Sequence, residues 1–289
     1  MYDIPIDFSA LSILYCARRY QFSCVRGVDS SSADTDFGNA AHNFFELRNK
    51  GNKSPIADLL PSIISKWSIP QTEVTKLMLT CINFDQQKNP SPITDTANNP
   101  LVEYKFSIPY ATFGNYRIVL CGTMDLVYCV DDDFLVIRDY KTCAAVGAPA
   151  QNIVNSYTSS LQLNFYAYAL NKYLHAFLSP SHADMALGLK ITGEFMMVYK
   201  SLPSPKFERT PFVTINPYII RQTELIINSL IPKAVAIHEV NYIMPPEGSA
   251  YKLCNKCSYY TLCLEKDEDK LSSALNRIPV KPYDPTNFR

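Results

Sequence analysis

Between Tyr116 and Thr142 lie two apolar runs joined by three aspartates, and this constrains the fold more than any other stretch. Leu126 to Val130 runs one way, Asp131-Asp132-Asp133 turns the chain, and Phe134 to Lys141 runs back. Leu126, Val127, Tyr128, Leu135, Val136 and Ile137 are apolar or β-prone in unbroken succession. Such runs describe strands covered on both faces, in a sheet with helices on either side. A turn centred on Asp132 sets Asp125 opposite Asp139, and opposite residues share a face. Lys141, two residues beyond Asp139, falls on that face too, with Thr123 opposite it.

Two carboxylates and an amine thus converge inside an apolar sheet. Surface charge explains such a pattern when its neighbours are polar, but here they are not. Buried carboxylates repel one another unless a cation lies between them, and hard oxygen donors suit Mg²⁺ or Mn²⁺. The trio therefore reads as a divalent-metal site with a lysine beside it.

The length of 289 residues admits two domains or one α/β domain with insertions, and 47% apolar residues suffice for a core. The formal net charge is zero, so any nucleic-acid binding has to come from a local basic patch. There is neither a leader-like amino terminus nor an apolar run of about 18 residues, and the expectation is an intracellular chain with no membrane partner. No G-x-x-x-x-G-K-[ST] loop occurs, which excludes a P-loop motor ATPase.

Along the chain, the pattern predicts a short helix around Leu11 to Tyr20, a loop from Asp29 to Asp36 and a helix from Phe37 to Lys50. Helical pieces follow at Ile63 to Trp67 and Thr72 to Asp85. Strands are expected at Val102 to Ile108, Tyr116 to Cys121, in the hairpin, and at Leu187 to Lys200. Further helices are expected over 156–178 and near Pro217 to Val240, with a proline-rich loop from Leu202 to Pro211 between the last strand and the last helix. Strands interleaved with helices make a mixed α/β sheet.

On the early helix, His42 and Glu46 stand one turn apart on one face, where the imidazole adds a candidate metal ligand. Gln162 and Tyr166 share a face in the same way and suit contact with a nucleic-acid backbone. Near the end, Cys254, Cys257 and Cys263 are clustered as metal thiolates are, in structural zinc or an iron-sulfur cluster. No cysteine or histidine follows Cys263, so a fourth ligand has to come from far away. Cys16 is the best candidate and Cys24 the second, and either choice ties the two ends of the chain together.

These pieces, in this order, resemble the RecB-like branch of the PD-(D/E)XK nuclease superfamily that carries an iron-sulfur cluster, such as the AddB nuclease domain, the CRISPR adaptation nuclease and the eukaryotic single-strand exonucleases. Cys16-Ala17-Arg18-Arg19-Tyr20 is similar to the family's C-P-R-R-Y, and Gly38 to Glu46 to its G-x-x-x-H-x-x-L-E helix. Gly122 to Asp125 and Asp139-Tyr140-Lys141-Thr142 match G-x-x-D and D-Y-K-T; Gln162 to Tyr166 matches Q-x-x-x-Y; the last cysteines match C-x-x-C and the final C. Ala17 and Phe45 depart from the pattern without removing a functional atom.

The resemblance implies a restriction-endonuclease-like core over about 37–200, within one nuclease domain spanning 1–289. Segments 11–24 and 217–264 would bind the cluster, and 265–289 would be a tail. It implies that His42, Asp125, Asp139 and the backbone carbonyl of Tyr140 hold Mg²⁺ or Mn²⁺, that Lys141 activates water, and that Gln162 and Tyr166 touch substrate. Cys16, Cys254, Cys257 and Cys263 would bind a 4Fe-4S cluster. The implied activity is a metal-dependent exonuclease on single-stranded DNA or strand ends, and relatives often work beside a helicase or integrase. The competing reading is a non-catalytic nucleic-acid-binding or assembly module whose cysteines hold zinc.

Overall fold

The structure is a computed structural model that describes residues 1–27, 33–143, 161–188, 190–200 and 205–240, together with Cys254, Cys257, Tyr259 and Cys263. It divides into two compact units. One comprises Met1–Ser30, Phe106–Gly122 and Glu224–Phe288; the other comprises Ser31–Lys105 and Thr123–Thr223.

In the second unit the strands are the latter part of β3 (Tyr116–Val130), β4 (Phe134–Cys143), β5 (Ile191–Tyr199), β6 (Lys206–Arg209) and β7 (Val213–Ile215). β3 and β4 are antiparallel, β4 and β5 parallel, and β6 and β7 both pair antiparallel with β5. This is the mixed sheet expected from the sequence. Every residue of β5 is buried, as a strand covered on both faces must be. Asp131 and Asp132 take the left-handed backbone, at φ +53° and +56°, that a tight hairpin turn demands and aspartate tolerates.

The hairpin register follows the expected sum from Val130–Phe134 down to Leu126–Arg138. There the ladder stops, one pair short of Asp125 and Asp139. β4 continues to Cys143 because β5 stays beside it. The end of the β3–β4 ladder frees backbone groups of β4 that an unbroken sheet would consume.

One face of this sheet is covered by α3 (Ala33–Asn49), α4 (Ile56–Trp67) and α5 (Gln71–Asp85). Phe37, Ala41, Phe44 and Phe45 of α3 pack with Leu77, Cys81 and Phe84 of α5 against Leu126, Tyr128, Val136, Tyr140, Met196 and Val198. The other face carries α6 (Leu161–Ala169), which fits closely only because position 193 lacks a side chain. A Cβ on Gly193 would stand 2.8 Å from Leu163 Cδ1.

In the first unit, β1 (Tyr2–Ile6) runs parallel to Tyr116–Leu120 and leads into α1 (Phe8–Ile13). Asp7 caps that helix, its Oδ1 accepting the Ala10 amide at 2.6 Å. α2 (Ala17–Tyr20) and a wider turn, Gln21–Val25, follow.

Several boundaries differ from expectation. The helix expected from Phe37 begins at Ala33, inside the stretch read as a loop. The helix expected over 156–178 is α-helical over Leu161–Ala169 and continues as one wide turn to Leu174 and a tight one to Phe177; residues before Leu161 lie outside those described. The strand expected from Leu187 begins at Ile191 because α7 (Pro180–Leu187) occupies the preceding residues, with proline at its first position. β6 lies within the expected proline-rich loop. α8 runs from Pro217 to Glu239 as expected. Among the described residues no helix is long and apolar enough to cross a membrane.

Candidate metal centre

The end of the β3–β4 ladder is where the charged residues gather. In an antiparallel strand alternate residues turn both N–H and C=O toward one neighbour. With β3 gone beyond Leu126, Tyr140 presents both groups to an opening instead of a strand. Asp125 Oδ2 accepts the Tyr140 amide at 2.8 Å, and His42 Nε2 lies 2.9 Å from the Tyr140 carbonyl. With Nε2–H donated to that carbonyl, Nδ1 is the nitrogen left for a metal.

Nδ1 faces the acids. It stands 3.5 Å from both Asp125 Oδ2 and Glu103 Oε1. Among the described residues, His42, Glu103 and Asp125 are the one group of three ligands whose donor atoms all fall within 4.8 Å of one another. Glu103, the second residue of β2 (Val102–Phe113), has a left-handed backbone at φ +49°, unusual for a glutamate. Strain of that kind persists where surroundings impose it, and here it accompanies a carboxylate aimed at His42 and Asp125.

Asp139 and Lys141 share a face, as alternation requires, with Lys141 Nζ 2.6 Å from Asp139 Oδ2. The other oxygen, Oδ1, accepts a hydrogen bond from Gln162 Nε2 at 2.6 Å. Gln162 also donates to the Tyr166 hydroxyl at 3.3 Å, so of the two predicted residues on α6 Gln162 meets the carboxylate and Tyr166 meets Gln162. Asp139 is 2% exposed, which makes these two partners the source of its compensation.

The charges show what the cluster lacks. Burial pushes the Asp139 carboxyl up to about 6, the Asp125 charge adds to this, and Lys141 only partly offsets it. Asp125 is also raised, by burial and Glu103 against the pull of His42. For His42 burial favours the neutral ring, but Asp125, Glu103 and Asp139 outweigh it and bring the imidazole up to about 9. Protons thus occupy positions that a divalent cation would take. A donor set of one imidazole and clustered carboxylates fits Mg²⁺ or Mn²⁺.

Glu103 carried no signal in the sequence reading. It is separated from Asp125 by most of a hairpin, and its approach depends on the unusual turn of its own backbone. Glu46, read beside His42, is instead paired with Lys50 at 2.7 Å. Tyr140 Cα belongs to the site through its peptide groups, while its ring packs on Phe45 in the core with centroids 4.9 Å apart.

The candidate cluster cysteines Cys16, Cys24, Cys254, Cys257 and Cys263 fall in the first unit. Cys16, buried, precedes α2 in extended backbone, and Arg18 Nη1 donates to the Cys263 carbonyl at 2.9 Å and lies 3.8 Å from its Sγ. Burial raises the Cys263 thiol, Arg18 opposes this, and Cys16 and Cys254 add to it. Cys257 donates its amide to the Cys254 carbonyl at 3.0 Å. Cys24 is raised by burial, with Asp7 and Cys121 as its charged neighbours. Among the described residues no three thiols come within the 4.8 Å spacing that a single ion requires.

The sequence profile of the PD-(D/E)XK nuclease superfamily matches residues 10–264. The chain belongs to the PD-(D/E)XK nuclease superfamily. A solved structure from Eubacterium rectale, described as a candidate exonuclease, is similar at a TM-score of 0.52 and 11% identity, over 89% of this chain and 88% of its own. At that identity the likeness speaks for the fold. A second structure, SSO0001, aligns over 90% of this chain and 86% of its own at 11% identity, with a TM-score of 0.32 that carries no argument. No curated protein matches. The chain thus builds a metal-binding nuclease fold.

Proposed function

We propose that this PD-(D/E)XK protein is a metal-dependent DNA exonuclease of the RecB-like branch, acting on single strands or strand ends. The observation that carries the reading is the convergence of His42, Glu103 and Asp125 beside the Asp139–Lys141 pair. A bound Mg²⁺ or Mn²⁺ would lower the pKa of a coordinated water and take up charge on the phosphate oxygens. His42 Nδ1, Glu103 and Asp125 would hold the ion, with Asp139 contributing its carboxylate from the adjoining strand.

The protein's own groups then have distinct tasks. Lys141, fixed on Asp139, brings a positive charge to where the pentavalent phosphorus gathers negative charge, and orients the attacking water. Gln162 holds Asp139 from the α6 side, and Gln162 and Tyr166 offer polar edges to the backbone of the strand being cut. Water attacks phosphorus in line, the bond to the leaving oxygen breaks, and the proton lost by water passes to solvent or to that oxygen.

The second part of the proposal is a structural 4Fe-4S cluster on Cys16, Cys254, Cys257 and Cys263. It is supported by Cys16 and Cys254 acting as electrostatic neighbours of Cys263. A helicase or integrase would be a compatible partner.

The test is degradation of end-labelled linear single-stranded DNA with Mg²⁺ or Mn²⁺. Wild type should release label, closed circular DNA should resist, and chelation should stop the reaction. Asp125→Ala and Lys141→Ala should each lose at least about a hundredfold in rate. Equal activity in both variants would remove the assignment of the site. Anaerobic purification should yield brown protein containing iron and acid-labile sulfide, and colourless iron-free protein would remove the cluster.

A further inference from the structure

Behind the metal centre, on the sheet face covered by α3, lies a buried polar network that the chemistry above does not use. Arg138, with no exposed surface, donates from Nε to Glu194 Oε1 at 2.6 Å and from Nη2 to the Tyr128 hydroxyl at 3.2 Å. Tyr128 in turn donates to Glu194 Oε1 at 2.6 Å. Arg138 also acts on the hydroxyl of Tyr140, and Asn49 Nδ2 donates to that hydroxyl at 3.2 Å.

The position of the network is informative. Arg138 is the last β4 residue in the ladder with β3, and Tyr140 is the residue whose peptide groups hold Asp125 and His42. Asn49 and His42 lie on α3, two turns apart and so on one face. One helix therefore grips Tyr140 twice, through the carbonyl with His42 and through the hydroxyl with Asn49. Phe45 and Phe84 flank the ring, with centroids 4.9 and 5.9 Å away.

Buried ion pairs are weak contributors to stability, because desolvation offsets most of their attraction. Apolar residues would fill this space at lower cost, so stability alone does not account for the network. What it does uniquely is fix β4 where the strands part. We propose that Asn49 and the Tyr140 hydroxyl, backed by Arg138, Glu194 and Tyr128, form a latch that positions the β4 backbone and thereby sets the affinity of the metal centre. Asn49 is a positioning residue in this scheme. The inference rests on the metal-site reading above and deepens it.

The experiment measures Mn²⁺ affinity of the full chain by calorimetry and by the EPR signal of free Mn²⁺. The variants are Asn49→Ala, Tyr140→Phe and the double variant, each with its thermal midpoint. Leu77→Ala is the control, since Leu77 is fully buried in the same core but touches no site residue through a polar group. Each latch variant should bind Mn²⁺ about tenfold more weakly or worse, as outer partners of metal ligands do. The double variant should be no weaker than the weaker single one, and nuclease activity lost at low Mn²⁺ should return as Mn²⁺ is raised. Leu77→Ala should lose thermal stability and keep wild-type affinity.

Wild-type affinity in Asn49→Ala and Tyr140→Phe overturns the latch while leaving the metal centre intact. Equal loss in Leu77→Ala also overturns it, because any loosening of the core would then suffice. Absence of Mn²⁺ binding by wild type removes the metal reading itself, and the latch with it. Should Tyr140→Phe not fold, Asn49→Ala decides the outcome.

Discussion

Glu103 shows a single residue holding a conformation that only its surroundings justify. Its φ of +49° and its buried carboxylate both cost stability in the absence of a cation. Asparagine tolerates the left-handed backbone and carries no charge. Glu103→Asn should therefore raise the thermal midpoint in chelator while weakening Mn²⁺ binding at least about tenfold. A lowered midpoint with unchanged binding would make Glu103 an ordinary structural residue.

The same residues set a pH dependence with a definite sign. Asp139 stands at about 6 in the folded chain against 3.8 for a free carboxyl, and His42 at about 9 against 6.5. Both folded-state values are raised, so the folded chain binds protons more tightly than the unfolded one. The contribution of Asp139 is complete below 3.8 and is lost as pH rises through about 6. That of His42 is complete below 6.5 and lost through about 9. Metal-free protein should accordingly lose stability with rising pH over both windows. Asp139→Asn should remove the lower loss and His42→Asn the upper one when melting curves in chelator are compared with wild type. Because metal ligation needs the deprotonated forms, stabilisation by Mn²⁺ should grow with pH and its binding should release protons.

At the scale of elements, what was legible followed from periodicity. The hairpin register could be read because three aspartates fix the turn and unbroken apolar runs fix both flanks. α3 and α5 could be read because phenylalanines and leucines recur at helical spacing. β1 could not: Tyr-Asp-Ile-Pro-Ile is short, mixes polar and apolar residues, and contains a proline that strands accept only at edges or bulges. β6 was hidden for a similar reason, since Lys206 to Arg209 is polar and pairs only because β5 offers it a ladder.

The α6–β5 contact is a second case in which one position decides an element. A methyl group at 193 would meet Leu163 Cβ at 3.1 Å as well as its Cδ1, so the helix has to move. Leu163 neighbours Gln162, and a displaced helix withdraws the Gln162 amide from Asp139. Gly193→Ala should destabilise the protein by about 1–3 kcal/mol and reduce nuclease activity more than its melting point explains. Leu163→Ala in the same chain should restore part of both, because it makes room for the added methyl. Independent, additive effects in the double variant would count against the contact.

At the scale of the whole molecule, the sequence order conceals how the first unit is assembled. It draws on the amino end, on Phe106–Gly122 from the middle and on the carboxyl end, so its contacts are distant along the chain. Periodicity reports local structure and is silent about such closure. The cysteines carry the one expectation of such closure, since three thiols close in sequence and lacking a fourth point to a distant partner. The two candidates have different electrostatic neighbours: Cys16 acts on Cys263, whereas Asp7 and Cys121 act on Cys24. If Cys16 is the fourth ligand, Cys16→Ser should lose iron, bleach the visible absorption and melt earlier, with the amino and carboxyl ends becoming protease-sensitive together. Cys24→Ser should keep iron and colour and lose only the modest stability expected when a buried thiol becomes a hydroxyl. Iron retained in Cys16→Ser and lost in Cys24→Ser would reverse the assignment. The nuclease unit gives the comparison an internal reference, because His42, Glu103 and Asp125 all lie within Ser31–Lys105 and Thr123–Thr223. Mn²⁺ binding should therefore survive in Cys16→Ser even when the cluster is gone, and its loss would mean that the cluster supports the metal centre as well as the chain ends.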